Sequence, residues 1–268
     1  MANNFIDQKD RWLQIANGDF EYSILFIKCW LPFNAWYCNN YPQFKNQDSA
    51  ILREVKTDDN LFRTRLISLL ENDDEDSIFF RNQLIILHKQ LERCKVPNIA
   101  NSISFKSINF RTNPNPIFTK DYNKFNFKIE LLVPIQPHNI KIRVDVLKNR
   151  RATIYTYQHT KYDFEHFIND ASFLALSEKN KEILKDGFKQ INPKIKESLI
   201  VEKKKDSMQN IVSVFFKNDT DLLSQAIIEI IYNLRCILFH GEIQPNKDNL
   251  KIYEPAYYML KLLIKSLD

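Results

Sequence analysis

The sequence predicts a mainly α-helical chain whose two ends form one helical bundle, with an inserted α+β subdomain that holds an antiparallel meander. Apolar residues recur at helical spacing near both ends of the chain, and they alternate with polar residues in the middle. The chain has only 3 Gly among 268 residues, which argues against a many-turned all-β fold. We assign residues 1–95 and 208–268 to the bundle and residues 96–207 to the inserted subdomain.

The N-terminal part reads as four helices. Apolar side chains from Asp10 to Asn39 follow a helical period, and Pro32 is expected to kink or interrupt that helix. Further helical patterns cover Gln47–Val55, Leu61–Leu70 and Ile78–Arg93.

The middle of the chain changes to an alternating pattern. Residues 125–133 and 140–147 each alternate apolar with polar side chains, which is typical of half-buried strands joined by a turn. Residues 102–110 and 152–158 are predicted to add two more strands. Helical patterns resume at 162–176 and 179–190.

The composition and the net charge limit which partners and which cellular compartment are expected. A formal net charge of +5 permits a nucleic-acid partner without requiring one. The four Cys have no paired short spacing, which indicates reduced thiols in the cytoplasm. No signal peptide and no run of about 18 apolar residues is evident, so no membrane association is expected. No phosphate-binding glycine loop, serine nucleophile elbow or metal-ligand set is found, and no cofactor is expected.

The stretch "YNLRCILFHGE", residues 232–242, combines an apolar helix with polar groups at its end. Asp219 or Thr220 can cap this helix, and Gly241 is the usual residue to end it after His240. Arg235 lies about 140° from His240 on an ideal helix, so only a long side chain near the helix end can bring the two together. One final helix is predicted over 253–267.

This arrangement resembles the HEPN-domain ribonucleases, in which an R-x4-H motif ends the penultimate helix of a four-helix bundle. The resemblance covers the last ~50 residues well and the first ~70 loosely, and it does not cover the β insert. The resemblance implies a HEPN-like four-helix bundle that acts as a homodimeric, cytoplasmic, metal-independent endoribonuclease. It further implies a toxin or phage-defence effector, with an antitoxin or a defence-system protein as a possible partner.

In that hypothesis the RNA 2′-OH attacks the adjacent phosphorus, which gives a 2′,3′-cyclic phosphate. Arg235 binds the phosphate, His240 is the general acid and base, and Asn233 orients the substrate. The meander offers a predicted RNA-binding surface of basic groups interleaved with tyrosines. Its residues are Lys141, Arg143, Lys148, Arg150, Arg151, Tyr155 and Tyr157.

Three alternatives stay open. Many active HEPN proteins have a polar residue directly after the Arg, and Cys236 at that position favours a catalytically inactive, dimerising sensor or adaptor. A plain RNA-binding protein that works through the meander is the second alternative. The third is structural: His240 only caps the helix, and Arg235 pairs with Glu242 or Asp248.

Overall fold

The fold, taken from a computed structural model, is a mixture of helices and sheets. The structure describes residues 22–45, 47–94, 103–132 and 141–267. About 54% of these are helical and 17% lie in strands, which form two antiparallel sheets. The predicted mainly α fold, a HEPN-like four-helix bundle with an insert, is therefore wrong, and the fold class is α+β. The physical reason is that the middle of the chain forms a sheet-and-helix unit with its own core.

The chain divides into two compact units, and each is described by itself. Unit 1 comprises residues 1–109 and 197–268, and unit 2 comprises residues 110–196. The helices of unit 1 in the described residues are α1 (Tyr22–Asn40), α2 (Asp48–Thr57), α3 (Leu61–Glu71), α4 (Glu75–Arg93), α8 (Thr220–Phe239), α9 (Lys247–Leu250) and α10 (Tyr253–Ile264).

Unit 1 is organised around α8 and α10. Helix α10 packs against α1 and α4, while α8 packs against α2 and α3. Side chains at helical spacing supply the core, among them Phe26, Trp30, Phe33 and Tyr37 along one stripe of α1. Helix α1 continues through Pro32, so the predicted interruption does not occur.

Unit 2 is a four-stranded antiparallel meander covered on one face by helices. Its strands are β2 (Ile117–Tyr122), β3 (Phe125–Leu131), β4 (Ile142–Lys148) and β5 (Ala152–His159), in that order across the sheet. Strands β1 (Asn109–Thr112) and β6 (Lys194–Glu197) form a separate two-stranded sheet. Three helices, α5 (Phe164–Ile168), α6 (Ala171–Leu174) and α7 (Glu178–Gln190), lie between β5 and β6 in the chain.

The sheet of unit 2 has one buried face and one exposed face. Phe127 and Ile129 of β3 and Val144 of β4 lie inward, against Phe188 of α7. Helix α7 approaches the sheet closely at Gly187, where a Cβ atom would lie 2.9 Å from Ile129 Cδ1 and nearer still to the Phe118 ring. Glycine at this position therefore allows the close helix–sheet packing, and any larger residue would displace the Phe118 ring.

Several predicted elements change in the structure. Of the strand expected at 102–110, residues 103–108 are not in a strand and only the last two belong to β1. The helix expected at 162–176 is split into α5 and α6, and β2 was not predicted. The predicted helix start at Asp10 and the turn between β3 and β4 lie outside the described residues.

By length and composition alone, α8 is the one helix in the described part of the chain that could cross a membrane. Half of its apolar window is buried inside the protein, and the core helix of a soluble protein passes the same test.

Candidate functional site at the end of helix α8

Local signals fix both ends of α8. The Asp219 carboxylate accepts a hydrogen bond from the Leu222 N–H and caps the first turn. At the other end, Gly241 takes φ = 63°, Gly241 N donates to Leu238 O at 3.3 Å, and Glu242 N donates to Ile237 O at 2.9 Å. This is a Schellman motif with His240 as the C-cap residue. The predicted helix, its cap and its glycine stop are confirmed.

Arg235 is held between aromatic rings. Its Cζ lies 4.6 Å from the centroid of Phe239 and 5.8 Å from that of Trp30, which are cation–π distances. Its Nη2 lies 3.6 Å from Asp48 Oδ2, which is an ion pair but too long for a hydrogen bond. The buried Nε has no hydrogen-bond partner among the described residues. The guanidinium is thus positioned by ring contacts and paired only loosely with a carboxylate.

His240 is exposed, and its imidazole has no hydrogen bond or ion pair with any residue that the structure describes. On a helix, Arg235 and His240 are separated by about 7.5 Å of rise and about 140° of rotation. Cys236 and Phe239 lie on the arc between them by the same rotation. Arg235 and His240 therefore lie at opposite edges of a half-exposed arc of about 140° on α8, without a direct hydrogen bond between them.

Asn233 is engaged within its own helix. Its Nδ2 donates to the Glu229 backbone O at 2.8 Å and to Glu229 Oε1 at 3.2 Å. Glu229 is in turn paired with Lys56 of α2 at 2.5 Å. The amide donors of Asn233 are occupied, so they are not directed at a substrate in this structure.

The alternative ion-pair partners predicted for Arg235 are not used. Asp248 pairs instead with Lys251 at 2.8 Å, and no pair between Arg235 and Glu242 is formed. The actual partner, Asp48, lies in the first turn of α2, 187 residues earlier in the chain. Sequence reasoning missed it because Asp48 resembles any carboxylate at a helix start.

Tyr232 and Cys236 continue the face next to Arg235. Tyr232 stacks on Trp30 with ring centroids 6.2 Å apart. Burial, followed by its interaction with the Cys236 thiol, raises the pKa of Tyr232 to about 12. Tyr232 therefore stays protonated at neutral pH and provides a neutral hydroxyl beside the guanidinium.

The predicted RNA-binding surface of unit 2 is only partly exposed. Tyr155 and Tyr157 are 3% and 5% exposed and point into the core, so their predicted place on the surface is wrong. Tyr155 and Tyr157 pair with Val146 and Val144 of β4, which face the core, so both rings face inward as well. Tyr157 is further held by a 3.0 Å hydrogen bond between its hydroxyl and His166 Nδ1.

The basic members of that surface lie in three separate places. Arg143 lies within the sheet and is paired with Asp145 at 2.7 Å. Lys141, at the start of β4, is exposed. Lys148, Arg150 and Arg151 are exposed together at the turn between β4 and β5. The structure therefore does not bring all seven predicted residues to one surface.

Comparison with protein-family models, with curated proteins and with solved structures finds no match to this chain. In the described ranges, no group of three or more His, Cys, Asp or Glu side chains is placed to hold a metal ion.

Proposed function

We propose that the protein is an endoribonuclease that cleaves RNA by attack of the 2′-OH on the adjacent phosphorus, with the site at the end of α8. The observation that carries the proposal is the presence of a cation and an acid–base group within about one and a half turns at the end of α8. An exposed imidazole at His240, without a partner among the residues that the structure describes, and a pre-oriented guanidinium at Arg235 border a half-exposed arc of about 140°.

The two groups suit the two requirements of the reaction. A base must take the 2′-OH proton, and a cation must stabilise the negative charge that develops on the phosphorane. A histidine can exchange protons at cellular pH, and an arginine presents a planar fork to two phosphate oxygens. The P–O5′ bond then breaks, the 5′ oxygen takes up a proton, and a cyclic phosphate remains.

A second copy of the chain would complete the proton balance. One His240 takes the 2′ proton while the other returns a proton to the 5′ oxygen, so a homodimer fits the proposal. We place the enzyme in the cytoplasm as a toxin or phage-defence effector, with a protein partner that controls it. In that setting the activity would be toxic on expression.

The test is RNA cleavage in EDTA by wild type, His240→Ala and Arg235→Lys, with 3′-end analysis and a DNA of the same sequence. We expect cleavage of RNA only, cyclic phosphate ends, and loss of cleavage in both variants. His159→Ala is the matched control, since His159 lies in unit 2 and should leave cleavage intact. Intact RNA with a folded, dimeric wild-type protein would contradict the proposal.

One observation favours a second function, a dimerising sensor or adaptor without catalysis. Arg235 is paired with Asp48, and Asn233 with Glu229, so both polar groups already serve the packing of unit 1. Such a protein should be non-toxic on expression and should bind a protein partner that His240→Ala leaves bound. Toxicity that depends on His240 would exclude it.

A further inference from the structure

One end of the meander has a local excess of positive charge. Residues 120–124 and 148–151 carry five basic side chains and one acidic side chain, which is a net charge of +4. The whole chain has a formal net charge of +5, so these nine residues account for nearly all of it. We call the five basic residues the turn cluster: Lys120, Lys124, Lys148, Arg150 and Arg151.

Two adjacent turns hold the cluster together. Asn149 and Arg150 have φ of 54° and 59°, and Arg151 N donates to Lys148 O at 3.1 Å, as in a type I′ hairpin turn. Asn149 N also donates to Lys124 O at 2.7 Å and joins this turn to the turn between β2 and β3. The backbone of the cluster is therefore hydrogen-bonded across both turns.

Arg150 positions the cluster rather than adding a free charge. Its Nη2 donates to Asp121 Oδ2 at 2.8 Å, which connects the second turn to β2. The hydrogen bond from Arg150, together with one from Asn126, lowers the pKa of Asp121, so this carboxylate stays charged. The position prefers glycine or asparagine, and the ion pair offsets part of the strain of placing arginine there.

The other four members are exposed, and none forms an ion pair with a residue that the structure describes. Lys120 lies on β2 and Lys148 on β4, with β3 between them, while Lys124 and Arg151 lie in the two turns at this end of the sheet. Tyr122 at the same end is 37% exposed and presents a ring, unlike the buried tyrosines of β5. Unpaired cations beside an exposed ring suit a phosphate backbone with an unstacked base.

We propose that the turn cluster binds the phosphate backbone of single-stranded RNA, through Lys124, Lys148 and Arg151 with Lys120 beside them. Only the choice of RNA rests on the proposed function, because the phosphate chemistry follows from the cluster itself. Lysine and arginine side chains that contact phosphates do not distinguish bases, so binding should be independent of sequence and strongly dependent on salt. Arg143, which is paired within the sheet, does not take part.

The test is fluorescence anisotropy of a labelled 20-nucleotide single-stranded RNA in EDTA over a series of salt concentrations. All proteins carry His240→Ala, so that binding is measured without cleavage and its result is independent of the proposed function. The test variant adds Lys124→Glu, Lys148→Glu and Arg151→Glu. The control adds Lys161→Glu, Lys194→Glu and Lys196→Glu, which removes the same charge from exposed positions elsewhere in unit 2.

We expect the test variant to bind at least about 10-fold more weakly at low salt, since about three phosphate contacts are lost. The slope of log affinity against log salt should become less steep by about 2, and the control should change neither quantity by as much. Equal weakening in test and control, or unchanged binding in the test variant, would overturn the proposal. If the reversed-charge variant does not fold, as judged by circular dichroism, the Lys→Gln and Arg→Gln versions answer the same question.

The last measurement is binding of the same proteins to vesicles that contain phosphatidylserine. Binding to vesicles that depends on the cluster, without binding to RNA, would overturn the proposal in favour of a membrane surface. Cleavage that persists while cluster-dependent binding is absent would overturn this inference alone. Cluster-dependent binding without any cleavage would leave this inference standing and contradict the proposed function.

Discussion

Replacing Asp48 by Asn separates the structural role of Arg235 from a role in binding RNA. Asp48 is the one carboxylate paired with Arg235 among the described residues, at 3.6 Å, and both side chains are partly exposed. If Arg235 binds phosphate, Asp48 competes with the RNA for the guanidinium. The substitution removes the competitor and leaves the ring contacts of Arg235 in place.

The magnitudes follow from the geometry. A partly exposed pair of this kind contributes about 0.2–1 kcal/mol to stability. Asp48 also lies in the first turn of α2, where a carboxylate adds about 0.3–1 kcal/mol. We therefore expect Asp48→Asn to lower the free energy of unfolding by about 0.5–2 kcal/mol. Release of the competing interaction should raise RNA affinity by up to about 5-fold, since 1.4 kcal/mol corresponds to a factor of ten.

The assay is RNA affinity in the His240→Ala background, together with urea unfolding of the same proteins. Asp76→Asn is a close control, because Asp76 lies in the first turn of α4 and pairs with Arg65 at 2.9 Å. It removes the same charge and should lower stability without raising RNA affinity. Unchanged or weaker RNA binding in Asp48→Asn would refute the reasoning and assign Arg235 to packing alone.

Three further predictions concern stability. Gly187→Ala should destabilise unit 2 in urea unfolding, because the new Cβ meets the Phe118 ring. Overpacking costs about 1–3 kcal/mol, which exceeds the gain in helix propensity of about 1 kcal/mol. A more stable variant would show that α7 can shift away from the sheet without cost. Tyr253→Phe removes a buried hydroxyl that donates to a carbonyl of α8 at 3.0 Å, and urea unfolding should show a loss of about 0.5–1.5 kcal/mol; no loss would mean that the hydrogen bond is energetically neutral. Hydrogen bonds from the N–H and the hydroxyl of Ser77 lower the pKa of Asp74. The stability that the Asp74 carboxylate adds to the fold is therefore complete at neutral pH, and it is lost as the pH falls through the lowered pKa. Thermal melts should therefore show Asp74→Ala below wild type at pH 7 and converging with it in acid, and a constant difference would contradict this.

The elements that the sequence predicts well are those with local signals. Helix α8 has an Asp cap, an apolar stripe and a glycine stop, and both of its ends lie where these residues place them. Strands β3 and β4 have clean alternation, and their inward side chains are the apolar ones. In each case a few neighbouring residues contain the whole signal.

The features that could not be predicted depend on residues distant in the chain. Strand β2 has no apolar alternation in its sequence and is exposed at nearly every position, and all six of its residues pair with β3. The inward direction of Tyr155 follows from its pairing with Val146, a core residue of the neighbouring strand β4. The predicted fold class was wrong because the sheet-and-helix unit, expected only as an insert in a mainly α chain, has its own core and makes the whole an α+β mixture.

The environment of Arg235 shows why the motif alone could not assign its role. Its neighbours Trp30 and Asp48 come from α1 and α2, while the motif spans only the end of α8. A role of Arg235 in packing and a role in binding phosphate predict different effects when those neighbours are replaced. If Arg235 only packs, Asp48→Asn and Arg235→Lys should both lower stability and leave RNA binding unchanged. If Arg235 binds phosphate, the two variants should move RNA affinity in opposite directions, because one frees the guanidinium fork and the other removes it.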